Sequence, residues 1–130
     1  MDTTPSPDLI RSVIARYAHC LSNGDIEGLA ALFAPDALFE DPIGTPPRVG
    51  PEGARQFFSA ALQQTGGRIL FEPEGAVRIR GAHAACAFTA TCDRIETPFV
   101  TETMDIFRFD EQGRIVSLVA IWGETNARLL

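Results

Sequence analysis

Thr101-Glu102-Thr103-Met104-Asp105-Ile106-Phe107-Arg108-Phe109 carries the reading of the fold. In an extended chain successive side chains point to opposite faces, so Thr103, Asp105, Phe107 and Phe109 share one face. The two phenylalanines mark that face as buried. Working outward, strand-length segments run near 68–79, 83–93, 98–109 and 114–123. They are punctuated by Gly75, Gly81, Pro98 and the turn Asp110-Glu111-Gln112-Gly113.

Upstream the period is helical. Ser6-Pro7-Asp8 supplies a capping serine, a proline at the first helical position and an acid in the first turn. Ile10, Val13, Ile14, Tyr17, Cys20 and Leu21 then recur at steps of three and four, giving one apolar stripe that ends at Asn23-Gly24. Asp25 caps a short second helix with Ile26, Leu29, Ala30 and Phe33 inward, broken by Pro35. Ala37–Asp41 is a short strand leading into Pro42 and the loop Gly44-Thr45-Pro46-Pro47. Gly50-Pro51-Glu52 opens a third helix that turns Ala54, Phe57, Phe58, Ala61 and Leu62 to a core and ends at Gly66-Gly67. Three helices followed by a run of strands predict an α+β fold, with helices packed on one face of a curved, mostly antiparallel sheet. Such a sheet closes into a cone with a deep apolar pocket, the usual setting for a small-molecule site. The 130 residues suit one domain, 1–130.

The net charge of −6 and a basic complement made up wholly of scattered arginines argue against nucleic acid and against an anionic membrane surface. Cys20, Cys86 and Cys92 are odd in number and lack CxxC spacing, so buried free thiols are expected, with no disulfide framework and no zinc site. MDTTPSPDL lacks the basic-then-apolar pattern of a leader, and no apolar run approaches the roughly 20 residues that span a bilayer. A cytoplasmic protein is expected.

Three polar residues stand where apolar ones would be usual. Tyr17, the sole tyrosine, lies within the first helix stripe, as a core aromatic or as a buried donor. Asp105 is a poor strand former on an apolar face. It is either an acid at a bulge or sheet rim, or a carboxyl kept protonated by its surroundings. Asp41 precedes a proline, as turn starters do. Glu40 and Asp41 must point to opposite sides of an extended segment, so one of them faces inward. A carboxylate at the lip of an apolar pocket is suited to moving a proton.

Arg16-Tyr17, Asn23-Gly24-Asp25-Ile26-Glu27, Glu40-Asp41-Pro42-Ile43-Gly44, Asp105–Ile115 and Ala120-Ile121-Trp122-Gly123-Glu124-Thr125-Asn126 together resemble the Δ5-3-ketosteroid isomerases, members of the NTF2-like/SnoaL-like cone-fold superfamily. The resemblance implies Tyr17 as oxyanion tyrosine, Asp41 as proton-transfer base and Asp105 as a protonated aspartic acid. It also implies Phe88, Leu118 and Trp122 as substrate-binding walls. It further implies a small hydrophobic ketone as substrate, typically a 3-oxo-Δ5-steroid, with no metal or organic cofactor, and a homodimer formed through the sheet. Phe33 and Phe58 stand at positions aligned with tyrosines that support the oxyanion tyrosine in some members, so that support is missing. His19 and His83 match no family role, and His19 points away from the helix stripe. Two other readings use the same fold: a cyclase, epoxide hydrolase or dehydratase, which would want His or Arg beside the acids, and a non-catalytic binder of hydrophobic ligands. Burial of Asp105 is hard to reconcile with a pure binder.

Overall fold

A computed structural model describes residues 4–130; residues 1–3, where the stretch examined for a leader begins, lie outside it. Helix α1 (Pro7–Ser22) starts where the capping signal predicts: Ser6 Oγ accepts the Leu9 amide at 3.1 Å, and Pro7 occupies the first turn. Its stripe is buried at Ile10, Ile14, Tyr17, Cys20 and Leu21. Asp25 caps α2 (Ile26–Ala30) through its side chain and the Gly28 amide. Then come strand β1 (Phe33–Glu40), the short β2 (Arg48–Val49) and helix α3 (Gly50–Gln64). The remainder is β3 (Leu70–Arg80), β4 (His83–Cys92), β5 (Phe99–Phe109), β6 (Ile115–Ile121), a 3₁₀ turn (Glu124–Asn126) and β7 (Ala127–Leu129).

All seven strands form one sheet in the order β2-β1-β6-β5-β4-β3, with β7 added alongside β5. Every pairing is antiparallel except β1 with β6. The architecture is therefore the expected α+β cone: helices laid into a curved, mostly antiparallel sheet. Pro73 lacks an amide for the ladder and is tolerated because β3 is the sheet's edge.

Phe33 departs from the helical pattern of the sequence. The second helix stops at Ala30, and the Ile115 amide bonds the Leu32 carbonyl at 2.8 Å while Phe33 pairs with Ile115. That pairing with a distant strand captures Phe33 into β1, so β1 begins four residues before the strand read from Ala37. Pro35 sits at a register shift between Phe33 and Leu38, where a missing amide does no harm. Gly50 explains how α3 docks on this irregularity. Its φ is +65°, and a Cβ there would lie 2.4 Å from the Pro35 carbonyl oxygen, so only glycine lets the helix start against the bulge. Phe57 and Phe58 of α3 then meet Phe39 edge-on and stacked, respectively. Cys20, Cys86 and Cys92 are buried free thiols.

Candidate active site

Tyr17 sits in the middle of α1, facing the sheet. It is 1% exposed, and four phenylalanine rings box it in: Phe58, Phe71, Phe88 and Phe107, with centroids 5.6–6.4 Å away. Phe58 meets it edge-on and Phe33 packs on Phe39 instead, so neither phenylalanine gives the hydroxyl a partner. Burial raises the Tyr17 pKa well above 10, and the nearby Asp105 and Asp41 charges raise it further. The phenol is held as a donor.

Asp105 faces the same interior from β5. The alternation of that strand is realised, with Thr101, Asp105, Phe107 and Phe109 buried and Glu102, Met104, Ile106 and Arg108 exposed. Asp105 itself is 1% exposed, and Thr103 Oγ1 donates to its Oδ1 at 3.1 Å. Burial first and the Asp41 charge second push its pKa up to about 8, against the lowering effect of the Thr103 bond. That direction favours the carboxylic acid over the carboxylate at neutral pH. Its second oxygen and the Tyr17 hydroxyl have no protein partner among the described residues. Neither is sealed from solvent, the one sealed side-chain polar atom without a hydrogen bond there being Arg68 Nε, which is ion-paired with Asp93 at 3.7 Å. Two donors therefore face a common interior space with their hydrogens uncommitted.

Asp41 is brought to this space by β1. Ala37 and Phe39 face inward, and Asp41 continues that face while Glu40 turns outward to the Gly44 amide. The Ile43 amide bonds the Ala120 carbonyl at 2.8 Å, tying the segment to the end of β6. There the chain leaves β5. Strand β6 pairs with it as far as Met104 and β7 resumes at Thr101, so Trp122 lies beside the gap. From that point the Trp122 indole Nε1 donates to Asp41 Oδ1 at 2.7 Å. Burial raises the Asp41 pKa and this hydrogen bond lowers it, since it favours the charged form. Trp122→Phe is accordingly expected to move the Asp41 titration, followed by carboxyl NMR, to higher pH. An unmoved titration would show that the indole does not set this carboxylate.

A cleft of about 370 Å³ opens here, with Asp41, Pro42, Phe57, Thr101, Thr103 and Trp122 among its walls. Thr103 is the link between cleft and interior, because it lines the first and bonds Asp105 in the second. Phe88 and Leu118, both fully buried, are not among the cleft walls. Phe88 stacks on Phe71 at 4.2 Å and backs the Tyr17 ring. The structure thus puts Asp41 and Trp122 in the cleft wall and Tyr17 and Asp105 within electrostatic reach of Asp41, but these two, like Phe88 and Leu118, lie outside the wall. Thr101, Thr103 and Phe99 are cleft residues that the sequence signals only through the inward face of β5. Arg48, whose guanidinium carbon lies 5.3 Å from the Phe57 ring centroid, carried no signal at all. His19 and His83 are exposed. Among the described residues no three His, Cys, Asp or Glu side chains are grouped to hold a metal ion.

The family model described as a SnoaL-like domain matches residues 14–118. A steroid Delta-isomerase of Nocardioides simplex is 34% identical over 87% of this chain and 89% of its own length. The epoxide hydrolase LasB of Streptomyces lasalocidi is 28% identical over 97% of this chain, which spans 52% of that protein. Among solved structures, the epoxide hydrolase/cyclase-like enzyme SalBIII, described for pyran ring formation in the polyether salinomycin, superposes with a TM-score of 0.82. It is 25% identical, over 93% of this chain and 95% of its own. With Tyr17 and Leu118 near the two ends of the matched stretch, and a steroid Delta-isomerase among its relatives, the chain belongs to the SnoaL-like family of NTF2-like domains.

Proposed function

We propose that this protein isomerises a Δ5-3-ketosteroid, or a closely similar small hydrophobic ketone, to its conjugated form. One observation carries the reading: Asp105 is buried, its pKa pushed up to about 8, near a buried tyrosine, with Asp41 close enough for its charge to raise both. Two neutral donors and one base are the set that an enolate needs. Asp41 takes a proton from the carbon between the ketone and the double bond. The C–H electron pair moves through the carbonyl, leaving a dienolate with its charge on oxygen. The Tyr17 hydroxyl and the Asp105 carboxylic acid donate to that oxygen from buried, largely aromatic surroundings. Preorganised donors of this kind are worth roughly 3–4 kcal/mol each in comparable sites. Protonated Asp41 then returns its proton to the far carbon of the dienolate, giving the conjugated ketone and regenerating the carboxylate. Every proton is accounted for by Asp41.

The test is spectrophotometric: wild-type protein mixed with a Δ5-3-ketosteroid should produce conjugated enone absorbance. Steroid binding without any turnover, at any pH, would replace this reading with that of a carrier. The likeness to LasB and SalBIII favours one second reading, acid–base opening of an epoxide. Asp105 would then protonate the epoxide oxygen as Asp41 removes a proton from the attacking hydroxyl. Ring-opened product from an epoxide, with no enone from the ketone, would select it.

The outer face of the sheet supports a homodimer. Met104, Ile106 and Ile121 are exposed there, and Met104 pairs directly with Ile121 across β5 and β6. Contiguous apolar residues on a sheet face mark an interaction surface. Sedimentation should give twice the chain mass; a monomer at micromolar concentration would remove the dimer from the proposal.

A further inference from the structure

Thr101 is a polar residue that the chemistry described above leaves without a task. It lies on the inward face of β5, is 6% exposed and forms part of the cleft wall. Its hydroxyl has no partner among the described residues, and it is not among the sealed polar atoms, so it opens onto the cleft. Thr103, one step along the same face, spends its hydroxyl on Asp105. Valine would fill the Thr101 position as well in a β-strand, without leaving a buried hydroxyl unpaired.

Its position along the cleft gives the hydroxyl a meaning. Asp105 and Thr101 are four residues apart on one extended strand, roughly 13–14 Å. That is close to the length of a rigid four-ring skeleton with an oxygen at each end. The walls near Thr101 include Ile69, Cys92 and Phe99, with Gln64 and Thr65 from the last turn of α3. Gln64 lies two helical turns beyond Phe57, about 10 Å, and so away from Arg48, which stacks on that ring. Thr65 already donates to the Ala61 carbonyl at 2.8 Å. In this part of the cleft Thr101 therefore supplies the one buried hydroxyl free to bond a ligand, the amide of Gln64 being exposed.

We propose that the Thr101 hydroxyl recognises a second oxygen, a carbonyl or hydroxyl, on the end of the substrate remote from the reacting ketone. It therefore selects four-ring ketones oxygenated at both ends over those oxygenated at one. A hydroxyl both donates and accepts, so either oxygen function satisfies it. The inference rests on the ketone binding toward Tyr17 and Asp105, as proposed above. It concerns affinity, so it is tested by equilibrium binding and not by turnover.

Trp122 is the sole tryptophan and lines the cleft, which makes its fluorescence a direct reporter of occupancy. The probes are two conjugated, non-isomerising ketosteroids that differ only in a ring-D carbonyl, present in one and absent in the other. Wild-type protein is expected to hold the oxygenated ketone about tenfold more tightly than its counterpart, the range of one net hydrogen bond. Thr101→Val should bring that ratio close to one. Thr101→Ala, which adds no bulk, should do the same, while Thr101→Ser should keep the preference. Equal affinities in the wild type, or a preference that survives both Thr101→Val and Thr101→Ala, would overturn the proposal. Absence of isomerase turnover in the separate assay would count against the reaction and leave this binding result to stand or fall alone.

Discussion

Asp41→Asn is expected to lower enone formation by at least a thousandfold, within the roughly 10²–10⁴ range of a positioned general base and the loss of its return step. The amide has nearly the same shape and can still accept the Trp122 indole bond, now 2.7 Å long, so the cleft should stay intact. What it cannot do is hold the substrate proton. Binding of a conjugated ketosteroid should therefore stay within a few-fold of wild type, confining the loss to kcat. Removing the Asp41 charge also removes one of the two influences that raise Asp105, so the Asp105 titration should move down from about 8. A variant that keeps substantial turnover would displace Asp41 from its role. An Asp105 titration unchanged by it would show that the two carboxyls are not in electrical contact.

The second large effect is on stability. The Asp105 carboxyl ionises near 4 in an unfolded chain and at about 8 in the folded one. Between those values the folded state binds a proton that the unfolded state has lost, so stability falls as pH rises through this window. Below it the group contributes no such penalty. Each pH unit corresponds to about 1.4 kcal/mol, and the full window sets an upper limit of about 5.5 kcal/mol. Asp105→Asn keeps an acceptor for the Thr103 hydroxyl and carries no ionisable group. It should match the wild type near pH 4 and exceed it by about 2–5 kcal/mol at pH 8, measured by urea unfolding across the range. The same variant should lose at least tenfold in turnover, because a neutral amide is a weaker donor to an enolate than a carboxylic acid. A protein made more stable by removing its own acid would show that Asp105 is kept for chemistry. Equal destabilisation at every pH would mean that the carboxyl is simply a packing element.

Much of this site is legible in the sequence itself. Asp105 stood out because alternation is a local property: a period of two puts position 105 with Phe107 and Phe109 whatever the strand later pairs with. Tyr17 was legible for the same reason, with a period of 3.6 placing it between Ile14 and Leu21. Helix caps at Ser6 and Asp25 satisfy amides three residues away, and they form as the sequence predicts. The inward turn of Asp41 was left open between two neighbours and was decided by the continuation of the face carrying Ala37 and Phe39.

Other features needed the whole chain. Phe33 fits a helix by spacing, and only its pairing with Ile115, some eighty residues on, makes it a strand residue. Strands β2 and β7 are two and three residues long, too short for any period to register. The Trp122 bond to Asp41 spans 81 positions and depends on the gap that β6 and β7 leave along β5. By itself, then, the sequence determined the α+β class and which face of its own element each of Tyr17 and Asp105 occupies, since those follow from local backbone periodicity. Only the tertiary structure decided that an acid from a strand end and an indole from a strand break meet in the wall of one cleft, within electrostatic reach of a buried tyrosine from a helix and a buried acid from a strand. Their meeting depends on strand order and register, which no local pattern encodes.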